Sequence, residues 1–264
     1  MSQTRPFTIA QLSDLHLTHM VGADVSYHQF LACLNLALTR QPDFLLLTGD
    51  LVNDGQLSGY DWLFDTLMAT GIPFACVAGN HDVTIEHDKS LPFDKRTFVA
   101  AHTDARLMDC TRLDLTDTWQ ILLLDSTKSG CIDGHFSATQ LDWLSTTLAH
   151  TQKNTLIACH HPPVLVGSAW IDAYMPDNAE AFWHVVQSYP HVIGVLCGHV
   201  HQAHHLTYQH TAIFTCPATS RQFLPFSHEF ALDGCPAGYR LIQLYNTAHL
   251  ETDIKRLDTM AFDK

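Results

Sequence analysis

Positively charged residues are scarce in this sequence, and they nowhere form a run. Lysine and arginine total 14 of 264 residues against 27 aspartates and glutamates, which gives a formal net charge of −13 at pH 7. Proteins that bind long nucleic acids cluster Lys and Arg on one face, because those side chains contact the phosphates. The composition therefore argues against a nuclease and against a long nucleic acid as partner.

Long apolar runs are also lacking. No stretch approaches the roughly 20 apolar residues that span a bilayer, and the opening MSQTRPFTIA lacks the basic-then-apolar pattern of a secretory signal. The eight cysteines lie mostly inside apolar runs, such as FACVA around Cys76 and LIAC ending at Cys159. We therefore expect buried free thiols in a cytoplasmic protein that has no membrane partner.

Apolar residues and histidine are abundant. Hydrophobic residues make up 46% of the chain, and only 16% of residues are charged, so a large core and little disorder are expected. The length favours a single domain over residues 1–264. Nineteen histidines raise the expectation of a metal or acid–base site.

Hydrophobic periodicity predicts alternating strands and helices over the first three quarters of the chain. Strands are predicted at 7–14, 44–50, 73–80, 119–126, 154–161 and 191–201, and helices at 26–41, 60–71, 96–102, 137–150 and 178–189. Ser137 is a plausible N-cap. Extended segments follow at 204–219, 238–246 and 250–257. The pattern predicts an α/β core whose later strands are antiparallel, with helices outside.

Two stretches lack any period and are predicted to be long loops, 162–178 and 217–238. Both are rich in Pro, Gly, Ser and Asp. Loops of that length in a compact domain are more often functional than idle.

Five predicted strands each end in residues that can bind a metal. These are Asp14 and His16, Asp50, Asn80 and His81, His160, and lastly His199 and His201. A single Asp after a strand is usually a turn former, and a single His is usually just hydrogen-bonded, but five such strand ends together are hard to explain in that way. In open α/β sheets, sites form beyond the carboxyl ends of the strands, and a glycine before Asp50, Asn80 and His199 permits a tight turn there.

Sorting these side chains by ligand type predicts a site for two metal ions. One ion would be bound by Asp14, His16, Asp50 and His201, and the other by Asp50, Asn80, His160 and His199, with Asp50 as a bridge. Asp-x-His and His-x-His on extended chain put both side chains on the same side. Mixed nitrogen and oxygen ligands suit Fe, Mn, Zn or Co.

The motifs DLH, GD, GNHD, HHPP and GHVH, in this order, resemble the calcineurin-like metallophosphoesterases. The longer forms QLSDLHL and HHPPVLVGSAW are similar to the class III cyclic-nucleotide phosphodiesterases, the bacterial cAMP phosphodiesterases. The resemblance runs from about Phe7 to about Phe223. It implies a four-layer αββα sandwich, two mixed sheets flanked by helices, and it implies the same seven ligands. It favours His160 over His161, because in the family one variable residue separates the ligand from a proline.

The resemblance implies that the protein hydrolyses a phosphodiester at two divalent metal ions. Fe and Mn are the expected metals, and Zn and Co are the alternatives. Two ions roughly 3.5–4 Å apart activate a shared water and clamp an in-line displacement at phosphorus. Asp14, Asp50 and a bridging hydroxide leave one positive charge on such a site, and the neutral Asn80 preserves it. His81 is expected over the substrate, protonating the leaving alkoxide. Asp82 would orient His81, or it simply caps the next turn.

The expected substrate is 3',5'-cyclic AMP, converted to 5'-AMP. Trp170 and Tyr174 could stack on a purine, Asn178 could hydrogen-bond to the base or phosphate, and Arg221 could bind phosphate; packing or a subunit contact would explain the same residues. A glycerophosphodiester or a broader range of phosphoesters is the alternative. A non-catalytic interaction scaffold on the same fold is a remote one. The resemblance to the family also favours a homodimer.

Overall fold

The computed structural model describes residues 5–53, 57–86, 98–100 and 104–258. The helices are α1 (Val25–Leu38), α2 (Leu57–Ala69), α3 (Asn80–Val83), α4 (Ala138–Ala149), α5 (Ala169–Asp172) and α6 (Ala179–Val186). The strands of the first half are β1 (Phe7–Leu12), β2 (Phe44–Thr48), β3 (Phe74–Val77), β4 (Thr84–Glu86), β5 (Phe98–Ala100), β6 (Thr111–Asp114) and β7 (Trp119–Leu123). Those of the second half are β8 (Asn154–Ala158), β9 (Val192–Cys197), β10 (His205–Tyr208), β11 (Thr211–Thr215), β12 (Gln222–Phe223), β13 (Leu232–Asp233), β14 (Gly238–Leu244) and β15 (Leu250–Arg256).

Two mixed sheets carry eleven of these strands, whereas β4 with β5 and β12 with β13 form separate two-stranded sheets. The first has the order β15-β14-β1-β2-β3, in which β1, β2 and β3 are parallel and β14 runs antiparallel to both of its neighbours, β1 and β15. The second has the order β10-β11-β9-β8-β7-β6 with a parallel centre and an antiparallel strand at each edge. The expectation of antiparallel later strands is wrong for β11, which runs parallel to β9.

Successive residues along a strand face opposite sides of its sheet, so each sheet packs against a different layer on each side. Leu45 and Leu47 of β2 pack against α1 and α2, whereas Phe44 and Leu46 face the second sheet. Because both faces of β2 are buried, its sequence is a continuous apolar run instead of an alternating one. The outer face of the second sheet packs against α4 and α6. The expected four-layer αββα sandwich is confirmed.

Most predicted elements are present with shorter bounds. Ser137 caps α4 through a reciprocal bond with Gln140, as expected. The helix predicted at 96–102 is wrong where it can be compared, because Phe98–Ala100 forms β5 and pairs antiparallel with β4. Residues 96–97 and 101–103 lie outside the described residues. The two predicted loops contain the short helix α5 and the hairpin β12–β13.

The cysteines follow the prediction in part. All eight lie within the described residues and are free thiols. Five are buried, whereas Cys110 and Cys131 are partly exposed and Cys235 is exposed. Among the described residues, no helix has the length and apolar character needed to cross a membrane.

Candidate metal centre

The predicted ligands lie on short turns directly after the strands. Asp14, His16, Asp50, His199 and His201 all have a left-handed backbone, with φ between 49° and 69°. Such angles are uncommon for residues other than glycine and cost free energy that the surrounding structure must offset. This backbone turns the ligand side chains to the site while Leu15 and Val200, between them, enter the core. The ligands therefore share a side as predicted, but through left-handed turns instead of extended chain.

Glycines leave room for the ligand turns to approach one another. Gly49, before Asp50, has a φ of 90°, as a tight turn requires. Gly79, before Asn80, has an ordinary φ, but a Cβ there would lie 2.3 Å from Oδ1 of Asp50. A Cβ on Gly198 would lie 2.1 Å from Oγ of Ser13. The predicted tight turn is thus present at Gly49, whereas Gly79 and Gly198 are needed because neighbouring atoms pack closely against them.

The first ligand cluster contains Asp14, His16, Asp50 and His201, whose ligand atoms all lie within 4.8 Å of one another. His201 donates its Nδ1–H to the Arg221 carbonyl at 2.7 Å, and Nδ1 of His16 lies 3.2 Å from Oδ1 of Asn53. Both rings therefore direct Nε2 into the cluster, where the two Nε2 atoms are 3.1 Å apart. These four residues form the first predicted set.

The second ligand cluster is centred on Oδ1 of Asn80. Nε2 of His160 lies 3.2 Å from this oxygen and Nδ1 of His199 lies 3.1 Å from it. His160 donates its Nδ1–H to the Thr48 carbonyl at 2.7 Å, which fixes Nε2 as the atom available to a ligand. A histidine that binds a metal usually has its other nitrogen held in this way.

Asp50 faces both clusters. Its Oδ2 lies 3.6 Å from Nε2 of His16, and its Oδ1 lies 3.4 Å from Nε2 of His160. The main-chain N–H of His81 donates to Oδ1 at 2.9 Å and holds the carboxylate in place. One oxygen is thus directed to each cluster, as a bridging carboxylate requires.

His161 also lies near the second cluster, since His160, His161 and His199 could geometrically share an ion. Both of its ring nitrogens are occupied, however: Nε2 donates to the Ile132 carbonyl at 2.9 Å, so Nδ1 accepts from the Ser126 hydroxyl at 2.9 Å. The geometry therefore favours His160 over His161 as a ligand.

The protonation states suit cation binding. Burial opposes ionisation of Asp14 and Asp50, yet the facing histidines hold the pKa of both carboxyls below its usual value. Burial, reinforced by His81, lowers the pKa of His16 to about 3. His160 differs, because the Asp50 carboxylate overcomes the effect of burial and raises the pKa of its imidazole to about 10. Carboxylates that attract a proton to this nitrogen would equally attract a metal ion.

The donor set fits two divalent ions. Because Nδ1 of each ring faces an oxygen, neutral rings of His16 and His201 would set two nitrogen lone pairs against each other at 3.1 Å, and a cation between them would remove the repulsion. Oδ2 of Asp14 is buried and, within the described part of the chain, has no hydrogen-bond partner. A buried carboxylate oxygen without a partner is costly unless a cation neutralises it.

His81 lies on α3 at the mouth of the site. Its ring contacts that of His16 edge-on, with centroids 4.7 Å apart, and it lines the cavity above the ligands. The imidazole is thus near the clusters without belonging to either, which is where a group acting on a substrate would lie.

Asp82 does not orient His81. Its carboxylate is fully buried and accepts hydrogen bonds from the N–H groups of Leu51, Val52 and Gly79 and from the Tyr60 hydroxyl. Burial, reinforced by the Asp50 carboxylate, raises the pKa of Asp82 to about 6. The predicted role is therefore corrected: Asp82 joins the turns that carry Asp50 and Asn80, and its hydrogen bonds are made to them. Sequence reasoning missed Tyr60, which no local motif distinguishes from a core residue of α2.

A cavity of about 640 Å³ opens above the two clusters. Its floor is polar and includes His16, Asp50, Asn80, His81, His199 and His201, and the rest of its lining is apolar. We call Trp170, Tyr174, Phe223 and Phe230 in that apolar part the aromatic wall. The volume lies within the roughly 300–1,000 Å³ typical of small-molecule sites.

The predicted substrate-binding residues do not all lie at this cavity. Trp170 lies in the wall, but Asn178 holds the Phe136 main chain with both atoms of its amide, at 3.0 and 2.6 Å, and borders a different depression. That prediction is corrected. Arg221 has an exposed side chain, and its carbonyl anchors His201. Phe223 and Phe230 also line the cavity but were not predicted to do so. Their position in a long aperiodic loop after the last candidate ligand was the signal that could have identified them.

Comparisons with known proteins agree with this geometry. The family model described as calcineurin-like phosphoesterase matches residues 7–203. The chain is 46% identical to a probable cyclic nucleotide phosphodiesterase of Moraxella catarrhalis, covering 93% of this chain and 91% of that protein. It is 35% identical to the 3',5'-cyclic adenosine monophosphate phosphodiesterase CpdA of Vibrio vulnificus, covering 96% and 91%.

A solved structure shares the fold. The dimetal phosphatase from Danio rerio superposes with a TM-score of 0.59 at 16% identity, covering 97% of this chain and 100% of that one. The family uses a dinuclear metal centre, and the described part of this chain contains groups of Asp and His side chains that could hold metal ions. Since the family model covers well over half of the sequence, the chain belongs to the calcineurin-like phosphoesterase family.

Proposed function

We propose that this protein hydrolyses the phosphodiester of a cyclic nucleotide at a dinuclear metal centre. The preferred substrate in this proposal is 3',5'-cyclic AMP. The observation that carries the proposal is the cavity, which is lined both by the two ligand clusters joined by Asp50 and by the aromatic wall. The names of the relatives, a cyclic nucleotide phosphodiesterase and a cAMP phosphodiesterase, support it.

The metal ligands of this proposal are the seven predicted side chains. Asp14, His16, Asp50 and His201 would hold one ion, and Asp50, Asn80, His160 and His199 the other. When bound, two divalent ions supply Lewis acidity and an activated water. Nitrogen and oxygen ligands without thiolate favour iron and manganese here, with zinc or cobalt as substitutes.

Charge at the floor favours an anionic diester. Two carboxylates, Asp14 and Asp50, oppose the four positive charges of two divalent ions. The neutral amide of Asn80 supplies an oxygen ligand without cancelling more of that charge. The buried site strengthens this attraction because it lies largely out of water.

His81 acts on the substrate in this proposal. Its ring borders the cavity beside His16 and leaves the ligand atoms to other residues. From there the imidazolium would donate a proton to the departing alkoxide oxygen and stabilise charge on the phosphoryl group. Asp82 would support the reaction indirectly by fixing the turns that carry Asp50 and Asn80.

Trp170 is proposed to contact the nucleotide, since it lines the same cavity as the candidate ligands. Arg221 is proposed to contact phosphate from the rim, because its main chain is fixed to His201 and a guanidinium suits phosphate geometry. Asn178 has no part in this proposal, because its amide serves the Phe136 main chain.

Further proposals follow from the sequence and the family. They are a single domain over residues 1–264, a cytoplasmic location, and a homodimer, with no nucleic acid or membrane partner. The net charge of −13 supports the exclusion of nucleic acid. Light scattering on the purified protein tests the dimer.

A panel of substrates tests the activity. Metal-stripped protein is reconstituted with Mn²⁺, and kcat/KM is measured for cAMP, glycerophosphoethanolamine, an aryl diester and an aryl monoester. We expect cAMP to lead the aliphatic diester by about tenfold or more, or about 1.4 kcal/mol in activation free energy. Turnover of the aryl diester with inert cAMP would retain the metal centre and reject the substrate. Preference for glycerophosphoethanolamine would favour the alternative function.

A further inference from the structure

We infer that Trp170, Phe223 and Phe230 form a subsite that binds the nucleobase by stacking. This subsite sets the preference for nucleotides over aliphatic phosphodiesters. The inference rests on the proposed function, which it deepens, because it assigns the part of the substrate remote from phosphorus to named side chains.

The three rings contact one another edge-to-face. Their centroids are 5.0 Å apart for Trp170 and Phe223, 5.1 Å for Trp170 and Phe230, and 5.4 Å for Phe223 and Phe230. All three line the cavity. Edge-to-face packing is a favoured arrangement of aromatic rings, so the cluster supports its own shape.

The aromatic cluster is fixed relative to the metal ligands. Phe223 stacks on His201 with ring centroids 3.9 Å apart and planes 8° apart. His201 in turn donates to the carbonyl of Arg221, two residues before Phe223. A base held by these rings would therefore lie at a set distance from the phosphorus-binding floor.

The two loops that carry the rings are joined by a buried polar network. The Ser168 hydroxyl accepts from the Phe226 N–H at 2.9 Å and from the Gln202 amide at 3.2 Å. Gln202 also donates to the Leu224 carbonyl, and its own oxygen lies 2.7 Å from Nε2 of His204. Because the network holds both loops together, the subsite is largely formed before any ligand arrives.

Phe230 is the ring least explained by packing. It is 59% exposed, although it lies in the cavity wall. Exposed aromatic rings beside a basic or metal-bearing groove are a recurrent means of binding bases, since every base has a π-face. The apolar side of the cavity offers stacking surface, and an aliphatic diester would gain nothing from it.

Binding of reaction-product analogues tests the subsite without turnover. Calorimetry on Mn²⁺-loaded protein compares 5'-AMP with ribose 5-phosphate, which lacks the base. Stacking on aromatic side chains predicts tighter binding of AMP by about 5- to 150-fold. Phe230→Ala should reduce this ratio severalfold, and Phe230→Tyr should keep it.

Leu165→Ala is the control, because Leu165 lies in the loop that carries Trp170, is 64% exposed and does not line the cavity. It should leave the ratio unchanged. Equal affinities for AMP and ribose 5-phosphate in the unaltered protein, or a ratio unaffected by Phe230→Ala, would overturn the inference.

Turnover separates this inference from the proposed function. The same proteins are assayed with cAMP and with methyl riboside 3',5'-cyclic phosphate, which has no base. Equal kcat/KM values for the two would reject the subsite and retain the phosphodiesterase. A Phe230-dependent preference for AMP in binding, without hydrolysis of either cyclic phosphate, would retain the subsite and reject the activity.

Discussion

The Nε2 atoms of His16 and His201 lie 3.1 Å apart, and each ring faces an oxygen with its other nitrogen. In neutral imidazoles this arrangement sets two lone pairs against each other. The backbone of both residues is also left-handed. Strain and repulsion at one point in a well-packed protein indicate a site shaped for a cation.

Metal removal should therefore lower stability. A ligand at 100 times its Kd stabilises a protein by about 2.7 kcal/mol, and each kcal/mol moves Tm by about 2–4 °C in a chain of roughly this size, so a rise of about 5–10 °C is expected on adding Mn²⁺ to stripped protein. Differential scanning calorimetry measures it. Ca²⁺ is the control, because it prefers oxygen ligands; an equal rise with Ca²⁺ would contradict a site rich in histidine.

Asp50→Asn should abolish binding at both metal positions, because each carboxylate oxygen faces one cluster. Elemental analysis of the purified variant gives the stoichiometry. Asp65→Asn, at an exposed position on α2, is the matched control and should retain the unaltered metal content. A variant at position 50 that keeps both ions would disprove bridging.

His81→Ala should retain both metals and lose turnover of cAMP by about 10²- to 10⁴-fold, the range of general acid catalysis. Loss should be much smaller for an aryl diester, because nitrophenolate departs without a proton. His28→Ala, an exposed histidine of α1, serves as control. If metal content falls with activity, His81 is a ligand instead.

Asp82→Asn should weaken the metal site without affecting leaving-group protonation. The new amide would face N–H donors, so we expect a loss of about 1–3 kcal/mol in stability and of about 10- to 100-fold in metal affinity. Activity on cAMP and on the aryl diester should fall in the same proportion. A selective loss on cAMP would instead restore the idea that Asp82 acts through His81. Tyr60→Phe removes one of the hydrogen bonds to Asp82 and should have a smaller effect than Asp82→Asn.

Asn178→Ala should destabilise the fold and leave substrate affinity unchanged. Its amide makes two hydrogen bonds to the Phe136 main chain, so about 1–3 kcal/mol of stability is at stake. Chemical denaturation and the KM for cAMP are the two measurements. A raised KM with unchanged stability would return Asn178 to the substrate.

The candidate ligands could be recognised in the sequence because each follows an apolar strand in a short motif, and the structure brings them together in two clusters. The pairing of Asp50 with both clusters followed from ligand types alone, and the structure brings these atoms to within 3.4–3.6 Å of a histidine on each side. Asp82 was not predictable in the same way. Its neighbour in sequence is His81, but besides Gly79 its hydrogen-bond partners are Leu51, Val52 and Tyr60, which α2 and the turn after β2 bring to it.

By itself the sequence determined the layered fold and the chemistry of the floor, since strand-end motifs and apolar periodicity are local signals. Only the tertiary structure decided which aromatic side chains face that floor. Trp170 and Phe230 are 60 positions apart, and only Trp170 lies at the end of a recognisable motif. They meet because Ser168 and Gln202 join two aperiodic loops, and contacts between loops depend on long-range packing that no local pattern records.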